Sequence, residues 1–74
     1  MSKYVIRNLN GEGYYKGSFT FQGSRYAIFG NFYDEDSKIK IFAKKETADK
    51  YLRRGFENCF PYEMKVEKYE EAFK

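Results

Sequence analysis

The sequence predicts an α+β domain in which an antiparallel β-sheet of four to five strands carries one amphipathic helix on one face. Two observations lead to this fold class. Apolar residues recur at every second position in four segments before residue 43 and in one segment near residue 65, which is typical of half-buried strands. Between them, one segment changes to the apolar spacing of a helix. The predicted order of elements is therefore β-β-β-β-α-β.

The first four strands are predicted at 3–8, 14–22, 25–33 and 38–42, because glycine-containing or polar turns separate these segments. Phe19 and Phe21 share one face of the second strand, and Ile39 and Ile41 face inward in the fourth. Residues 34–37 are read as a solvated polar turn. Short turns join these strands, so we expect an antiparallel meander.

A helix is predicted over 44–58, where Ala48, Leu52, Phe56 and Cys59 fall on one apolar stripe. Its start lacks a good cap, because a capping box with Glu46 wants serine or threonine at position 43, where the chain has alanine. Pro61 cannot continue a helix and marks the predicted stop.

A last strand is predicted over 62–69, with Tyr62, Met64 and Val66 on the core face. The fourth strand, the helix and this strand fit a right-handed crossover, which would make the last strand parallel to its partner. The tail at 70–74 is expected to fray. One helix on one face leaves the other face of the sheet open to solvent or to a partner.

The composition narrows the class of protein. The 74 residues suit a single domain over 1–74, and eight tyrosines and eight phenylalanines are more rings than one helix and one sheet face are expected to hide. Some rings should therefore reach the surface. No segment approaches the length of a membrane span, the first residues lack a signal-peptide core, and Cys59 has no cysteine to pair with. These features predict a cytoplasmic protein.

The chain contains no histidine, which is the side chain most often used for acid–base catalysis near neutral pH. One cysteine without histidine does not make a zinc site, and the acidic turn lacks the spacing of a calcium loop. The prediction is a protein that is not an enzyme, with no cofactor and no metal. Cys59 is interpreted as a buried structural thiol.

The glycine-rich stretch at 11–18 does not match a phosphate-binding loop, because its last residues read Lys-Gly-Ser rather than Gly-Lys-Ser and a strand follows. Residues 16–21, Lys-Gly-Ser-Phe-Thr-Phe, partly match the basic and aromatic strands with which RNA-recognition and cold-shock domains stack bases. The net charge of +3 is mild for such a role. A module for single-stranded nucleic acid is one alternative, and a sponge that binds small nucleotides is another.

Three stretches resemble a class of very small phage-encoded proteins. These are Lys-Ile-Lys-Ile-Phe-Ala-Lys-Lys-Glu-Thr-Ala-Asp-Lys-Tyr-Leu from residue 38, Tyr-Glu-Met-Lys-Val-Glu-Lys-Tyr-Glu-Glu from residue 62, and the opening Lys-Tyr-Val-Ile-Arg-Asn from residue 3 with the later Gly-Tyr-Tyr. The resemblance covers most of the chain and brings no catalytic residue. It implies an accessory protein of the kind that blocks host machinery, including CRISPR and other defence systems, by stoichiometric binding.

The leading hypothesis is thus a non-catalytic phage-type accessory protein that binds a host protein, as an inhibitor of a CRISPR-type defence system. Tyrosines on the open sheet face would fill pockets of the partner, and basic side chains would set the register. The candidate partner-binding residues are Tyr14, Tyr15, Lys16, Arg25 and Tyr33. A homodimer is a further option, because surplus rings can complete a small core between two copies.

Overall fold

A computed structural model describes residues 2–11, 13–30 and 39–72 of the chain. Within these residues, four antiparallel strands form one open sheet with the order β3-β2-β1-β4, and a helix packs on it, which confirms the predicted α+β class. The elements are β1 (Tyr4–Asn8), β2 (Tyr14–Phe21), β3 (Ser24–Gly30), α1 (Lys45–Arg54), β4 (Met64–Lys68) and α2 (Tyr69–Ala72), with a 3-10 turn at Pro61–Glu63 before β4.

The last strand is antiparallel to its neighbour, so the predicted parallel crossover is wrong. β4 pairs with β1 from Tyr4↔Lys68 to Asn8↔Met64. The chain reaches this position through a tight turn, in which Phe56 and Cys59 form an antiparallel bridge, and then through the 3-10 turn. These two reversals after α1 bring the strand back along the free edge of β1 in the opposite direction.

Residues 39–42, the described part of the segment predicted as a fourth strand, form a short wedge between β1 and β2. Phe42 exchanges both backbone hydrogen bonds with Tyr4 of β1, each 2.8 Å long, and the Lys40 N–H donates to the Tyr15 carbonyl of β2 at 2.9 Å. β1 and β2 therefore pair directly only at Arg7↔Tyr14. Phe42 is the buried residue of this wedge, whereas Ile41 is 43% exposed, because the pairing with Tyr4 turns Phe42 inward.

Helix α1 is shorter than predicted. It ends at Arg54 because Gly55 adopts a φ of 66° and its N–H donates to the Leu52 carbonyl, an ending that glycine favours. Phe56 and Cys59 stay buried, as the stripe predicted, but they do so from the tight turn that follows the helix. Pro61 lies beyond that turn and does not end the helix.

The core lies between α1, the wedge and one face of the sheet. Its buried members are Ile6, Tyr15, Ala27, Phe42, Ala48, Phe56, Cys59 and Met64. Tyr62 is not among them: it is 78% exposed, because it sits in the 3-10 turn and not in the strand where it was predicted. Of the tail predicted at 70–74, residues 70–72 belong to α2 and residues 73–74 lie outside the described residues. At the start of α2, the Tyr69 N–H donates to the Lys3 carbonyl at 2.8 Å.

Replacing Lys44 with serine should raise the melting temperature. Lys44 is the observed N-cap, has an extended backbone and makes no side-chain cap hydrogen bond. A serine hydroxyl there can accept a hydrogen bond from an N–H of the first turn, worth about 0.5–2 kcal/mol. For a domain of this size, that gain corresponds to roughly 4–8 °C per kcal/mol in a thermal denaturation scan.

The control for the cap is Ala43→Ser, which places the same hydroxyl one residue too early. Its melting temperature should stay close to that of the wild type. Equal stabilisation by both changes would show that the helix does not begin after Lys44.

Replacing Gly55 with alanine should destabilise the domain. The new Cβ would lie 2.8 Å from Cδ of Pro61, and the positive φ of 66° is unfavourable for alanine by about 1–2 kcal/mol. Gly17→Ala is the matched control, since Gly17 has no positive φ and no atom within 4 Å of the added Cβ. Urea unfolding should show a large loss for Gly55→Ala alone; similar midpoints for both variants would contradict this account of the helix end.

Candidate interaction surface

The β2–β3 hairpin departs from the rest of the sheet at a bulge. Tyr15 pairs with Phe29, whereas Gly17 pairs with Ile28, so Lys16 is the extra residue on β2. Such a bulge bends the strand and increases its twist. Beyond it, the hairpin continues to a two-residue turn at Gln22 and Gly23, whose φ angles are 51° and 80°. Positive φ at both positions is the type I′ geometry that suits the twist of a hairpin.

One face of this hairpin is apolar and exposed. Phe19 and Tyr26 are cross-strand partners whose rings stack with centroids 5.4 Å apart and planes 19° apart. Phe21 and Ile28 share this face by strand alternation, and Phe19, Phe21 and Ile28 are 49%, 58% and 40% exposed. We call the residues Phe19, Phe21, Tyr26 and Ile28 the ring patch. The prediction that some rings reach the surface is confirmed.

The same sheet face is charged on the side of β1 and β4. The guanidinium of Arg7 lies 3.2 Å from the Glu67 carboxylate across these strands, and Lys65 is paired with Arg7 in the register. Val5 is fully buried although its alternation puts it on this face. The open face therefore divides into an apolar half on the hairpin and a charged half over β1 and β4.

The predicted site residues do not form one surface. Tyr15 is 2% exposed and belongs to the core, so its prediction as a surface anchor is corrected. Tyr14, its neighbour on the opposite face, is half-buried and pairs with Arg7 and Gly30. Lys16 is half-buried in the bulge. Tyr33 lies outside the described residues.

Arg25 is exposed, but it points to the side of the sheet that carries the helix. It pairs with Thr20, two residues beyond the pair of Ser18 with the buried Ala27, and strand alternation therefore puts Arg25 and Ala27 on the same face. Arg25 and Arg54, at the end of α1, both line an open groove. The other residues of this groove are Gly23, Ser24, Gly55, Phe56 and Glu57. Arg25 is therefore separated from the ring patch by the thickness of the sheet.

Tyr15 is buried because it is the centre of the aromatic core. Its ring stacks on Phe56 at 5.5 Å and on Phe42 at 6.4 Å, and meets Phe29 and Tyr51 edge-on at 6.4 and 6.1 Å. The helix covers the face to which Tyr15 points, so Tyr14 and Tyr15 have opposite environments. The ring patch uses Phe19 and Phe21, whose shared face the sequence shows, and adds Tyr26 and Ile28 from β3. Their period-two spacing around the Gln-Gly turn is the signal that identifies all four.

A second exposed apolar group lies where β1 ends, beside the 3-10 turn that precedes β4. Phe60 and Tyr62 stack with centroids 5.8 Å apart, and Leu9 is 51% exposed beside them in the backbone pairing of Leu9 with Glu63. The Glu63 carboxylate holds this region together, accepting hydrogen bonds from the Asn10 amide and from the Phe60 N–H. Its rings stand on a turn, whereas the ring patch stands on paired strands.

Cys59 lies beneath this region as a buried thiol. Burial raises the pKa of Cys59 above its ordinary value, and the adjacent Glu63 carboxylate raises that pKa further by its negative charge and by accepting a hydrogen bond from the thiol. In the described part of the chain, no three of the residue types Cys, Asp and Glu come together in a way that could hold a metal ion. The environment of Cys59 is that of a protected thiol and not of a reactive one.

Comparison of the chain with protein-family models, with curated proteins and with solved structures finds no significant match. Among residues 2–11, 13–30 and 39–72, no helix has the length and apolar character needed to cross a bilayer.

Alkylation of the native protein should confirm the protected state of Cys59. Iodoacetamide reacts with the thiolate, and both burial and the raised pKa keep that species scarce while the fold is intact. At about pH 8.5, near the ordinary pKa of the thiol, the unfolded chain in denaturant should react at least ten times faster than the native protein. Mass spectrometry over time measures both rates, and equal rates would contradict the buried position.

Proposed function

We propose that this protein is a non-catalytic binding protein that attaches to another protein through the ring patch. The single observation that carries this proposal is the stacked pair of the exposed Phe19 and the half-buried Tyr26 on a hairpin face, extended by the exposed Phe21 and Ile28. An apolar surface of this kind is unfavourable in water unless a partner covers it, and large exposed apolar patches commonly mark interaction sites.

The geometry of the ring patch suits rigid anchoring. The two rings already stack against one another, and their backbones are fixed by the hairpin ladder from Tyr14↔Gly30 to Phe21↔Ser24. Side chains that are ordered before binding lose less conformational entropy on association. Aromatic residues at the centre of an interface also supply a large share of the binding energy in many complexes. The charged half of the open face, with Arg7, Glu67 and Lys65, would form the polar rim.

The narrower proposal is a phage-type accessory protein that inhibits a host defence system of the CRISPR type by covering a functional surface of one component. Its support is the resemblance of three sequence stretches to small phage proteins, together with a small domain that displays a ring patch. Occlusion of this kind requires only affinity and shape, which the hairpin can supply without chemistry at a reactive group.

A second candidate function is binding of single-stranded nucleic acid on the same surface. Exposed rings on adjacent strands of an open sheet can stack bases, as the Phe19–Tyr26 pair could. However, Arg7 on this face is already engaged with Glu67, and Arg25 lies on the other face. Fluorescence anisotropy with labelled oligonucleotides over a salt series distinguishes the two functions, because phosphate contacts give a steep loss of affinity with salt.

Substitution of the stacked pair should abolish partner capture. We expect the double variant Phe19→Ser, Tyr26→Ser to lose binding by about 30-fold or more, since removal of a single central anchor often costs 2 kcal/mol or more. The measurement is quantitative mass spectrometry of proteins retained from a lysate of bacterial host cells on the immobilised chain, followed by titration with the purified partner.

The matched control is Phe60→Ser, Tyr62→Ser, which removes a second stacked pair, exposed and of similar ring geometry, from a different site. This control should retain the partner. Undiminished capture by the Phe19/Tyr26 variant, or equal loss in both variants, would contradict the proposal that the ring patch is the contact surface.

A further inference from the structure

The two edges of the β2–β3 hairpin are treated differently by the fold. On the outer edge of β3, the Asn58 side chain makes a bidentate contact with one residue: its Oδ1 accepts from the Ala27 N–H at 2.8 Å and its Nδ2 donates to the Ala27 carbonyl at 2.9 Å. The Glu57 N–H donates to the Arg25 carbonyl on the same edge at 2.8 Å. This edge is therefore closed to an added strand along Arg25 and Ala27.

The outer edge of β2 has no such cover among the described residues. The backbone groups of Arg25 and Ala27 that bond to Glu57 and Asn58 point outward from β3, away from β2. In an antiparallel ladder, the residues paired with them then also point their N–H and C=O groups outward. Those residues are Thr20 and Ser18, whose backbone groups point away from β3. Within residues 2–11, 13–30 and 39–72, no backbone or side-chain group bonds to them. Both residues are exposed.

We propose that two copies of this chain associate edge to edge through β2, as an antiparallel pair of strands centred on Thr20. A two-fold axis at Thr20 pairs its N–H and C=O with those of Thr20 in the second copy. It also places Phe19 opposite the second copy's Phe21, and Phe21 opposite the second copy's Phe19. These are non-hydrogen-bonded positions, where side chains lie closest and aromatic pairs stabilise a sheet.

Three features of the chain favour a second copy as the occupant of this edge. Gly17 to Phe21 contain no charged residue and no proline, so two of the devices that normally block edge pairing are missing beyond the bulge at Lys16. The sequence Phe-Thr-Phe reads the same in both directions about Thr20, so an antiparallel pair of two copies places threonine opposite threonine and phenylalanine opposite phenylalanine. The wedge at Lys40 occupies the β2 edge beside Tyr15, which leaves the half near the hairpin tip accessible and favours the centre at Thr20 over one nearer the bulge.

The association would join the ring patches of the two copies. Tyr26 stacks on Phe19 within one copy, and Phe19 would meet the second copy's Phe21 across the new strand pair. The result is one continuous aromatic face on a β3-β2-β2-β3 arrangement. This inference stands apart from the proposed partner binding, which a single ring patch could perform.

Sedimentation equilibrium of the full chain tests the proposal over roughly a hundredfold range of concentration, because self-association follows mass action. The wild type should shift from monomer to dimer. Thr20→Pro removes the central N–H from both copies without removing a β2–β3 ladder bond, and should weaken the dimer at least about tenfold. Arg25→Pro removes the outward N–H at the paired position of the opposite edge and should change the dimer constant by less than about twofold.

A charge pair tests the register independently of any effect of proline on folding. Thr20→Lys and Thr20→Glu should each be monomeric, because like charges would lie directly opposite, and an equimolar mixture of the two should recover the dimer. A wild type that stays monomeric throughout, equal effects of the two proline variants, or no recovery in the mixture would each overturn the proposal. Partner capture that depends on Thr20 in a monomeric wild type would assign the edge to a foreign strand instead.

Discussion

The packing of Tyr15 is the contact on which the rest of the architecture depends. Its ring meets the wedge at Phe42, the tight turn at Phe56 and the helix at Tyr51, so one side chain joins three separate segments of the core. β2 pairs with β1 only at Tyr14, and further along β1 it is Phe42 that pairs with Tyr4. The bulge at Lys16 follows directly, because the strand has to bend away once the wedge occupies the space next to β1.

This division separates a structural half of the molecule from an interacting half. The ten residues of α1 pack on β1 and β4, and Tyr51 of this helix also reaches Tyr15 at the base of the hairpin. The rings of Phe19, Phe21 and Tyr26 stand on the hairpin face opposite the helix, where Phe19 and Phe21 are exposed, and hairpin pairing fixes their spacing. Their exposure is thus a consequence of the fold and not of a loose core, since the interior rings around Tyr15 are well packed.

The sequence predicts those features that depend on local periodicity and misses those that depend on which surface becomes covered. The strands at β1, β2 and β3 follow from period-two spacing, and the Gln22–Gly23 turn follows from glycine at its tip. Alternation places Tyr14 and Tyr15 on opposite faces of the sheet but does not say which face is open. That depends on which face the helix covers. Ile39 and Ile41 alternate like a strand, yet long-range pairing with Tyr4 makes Phe42 the buried residue. Gly55 after two arginines is a typical signal for the end of a helix, and the helix does end there. Pro61 is a stronger helix breaker, and the prediction places the end there instead.

Accounting for backbone hydrogen bonds shows where this small domain is complete. Asn58 serves as a substitute strand for Ala27, because its amide offers one donor and one acceptor with the spacing of a peptide group. The tight turn that holds Asn58 in place is the same turn that buries Phe56 and Cys59, so protection of the β3 edge is coupled to formation of the core. No comparable residue protects the β2 edge at Ser18 and Thr20 in the described part of the chain. The tight turn after α1 therefore covers the β3 edge, and the wedge covers the β2 edge only beside Tyr15. Near the tip of β2, both apolar side chains and backbone polar groups remain available to another chain.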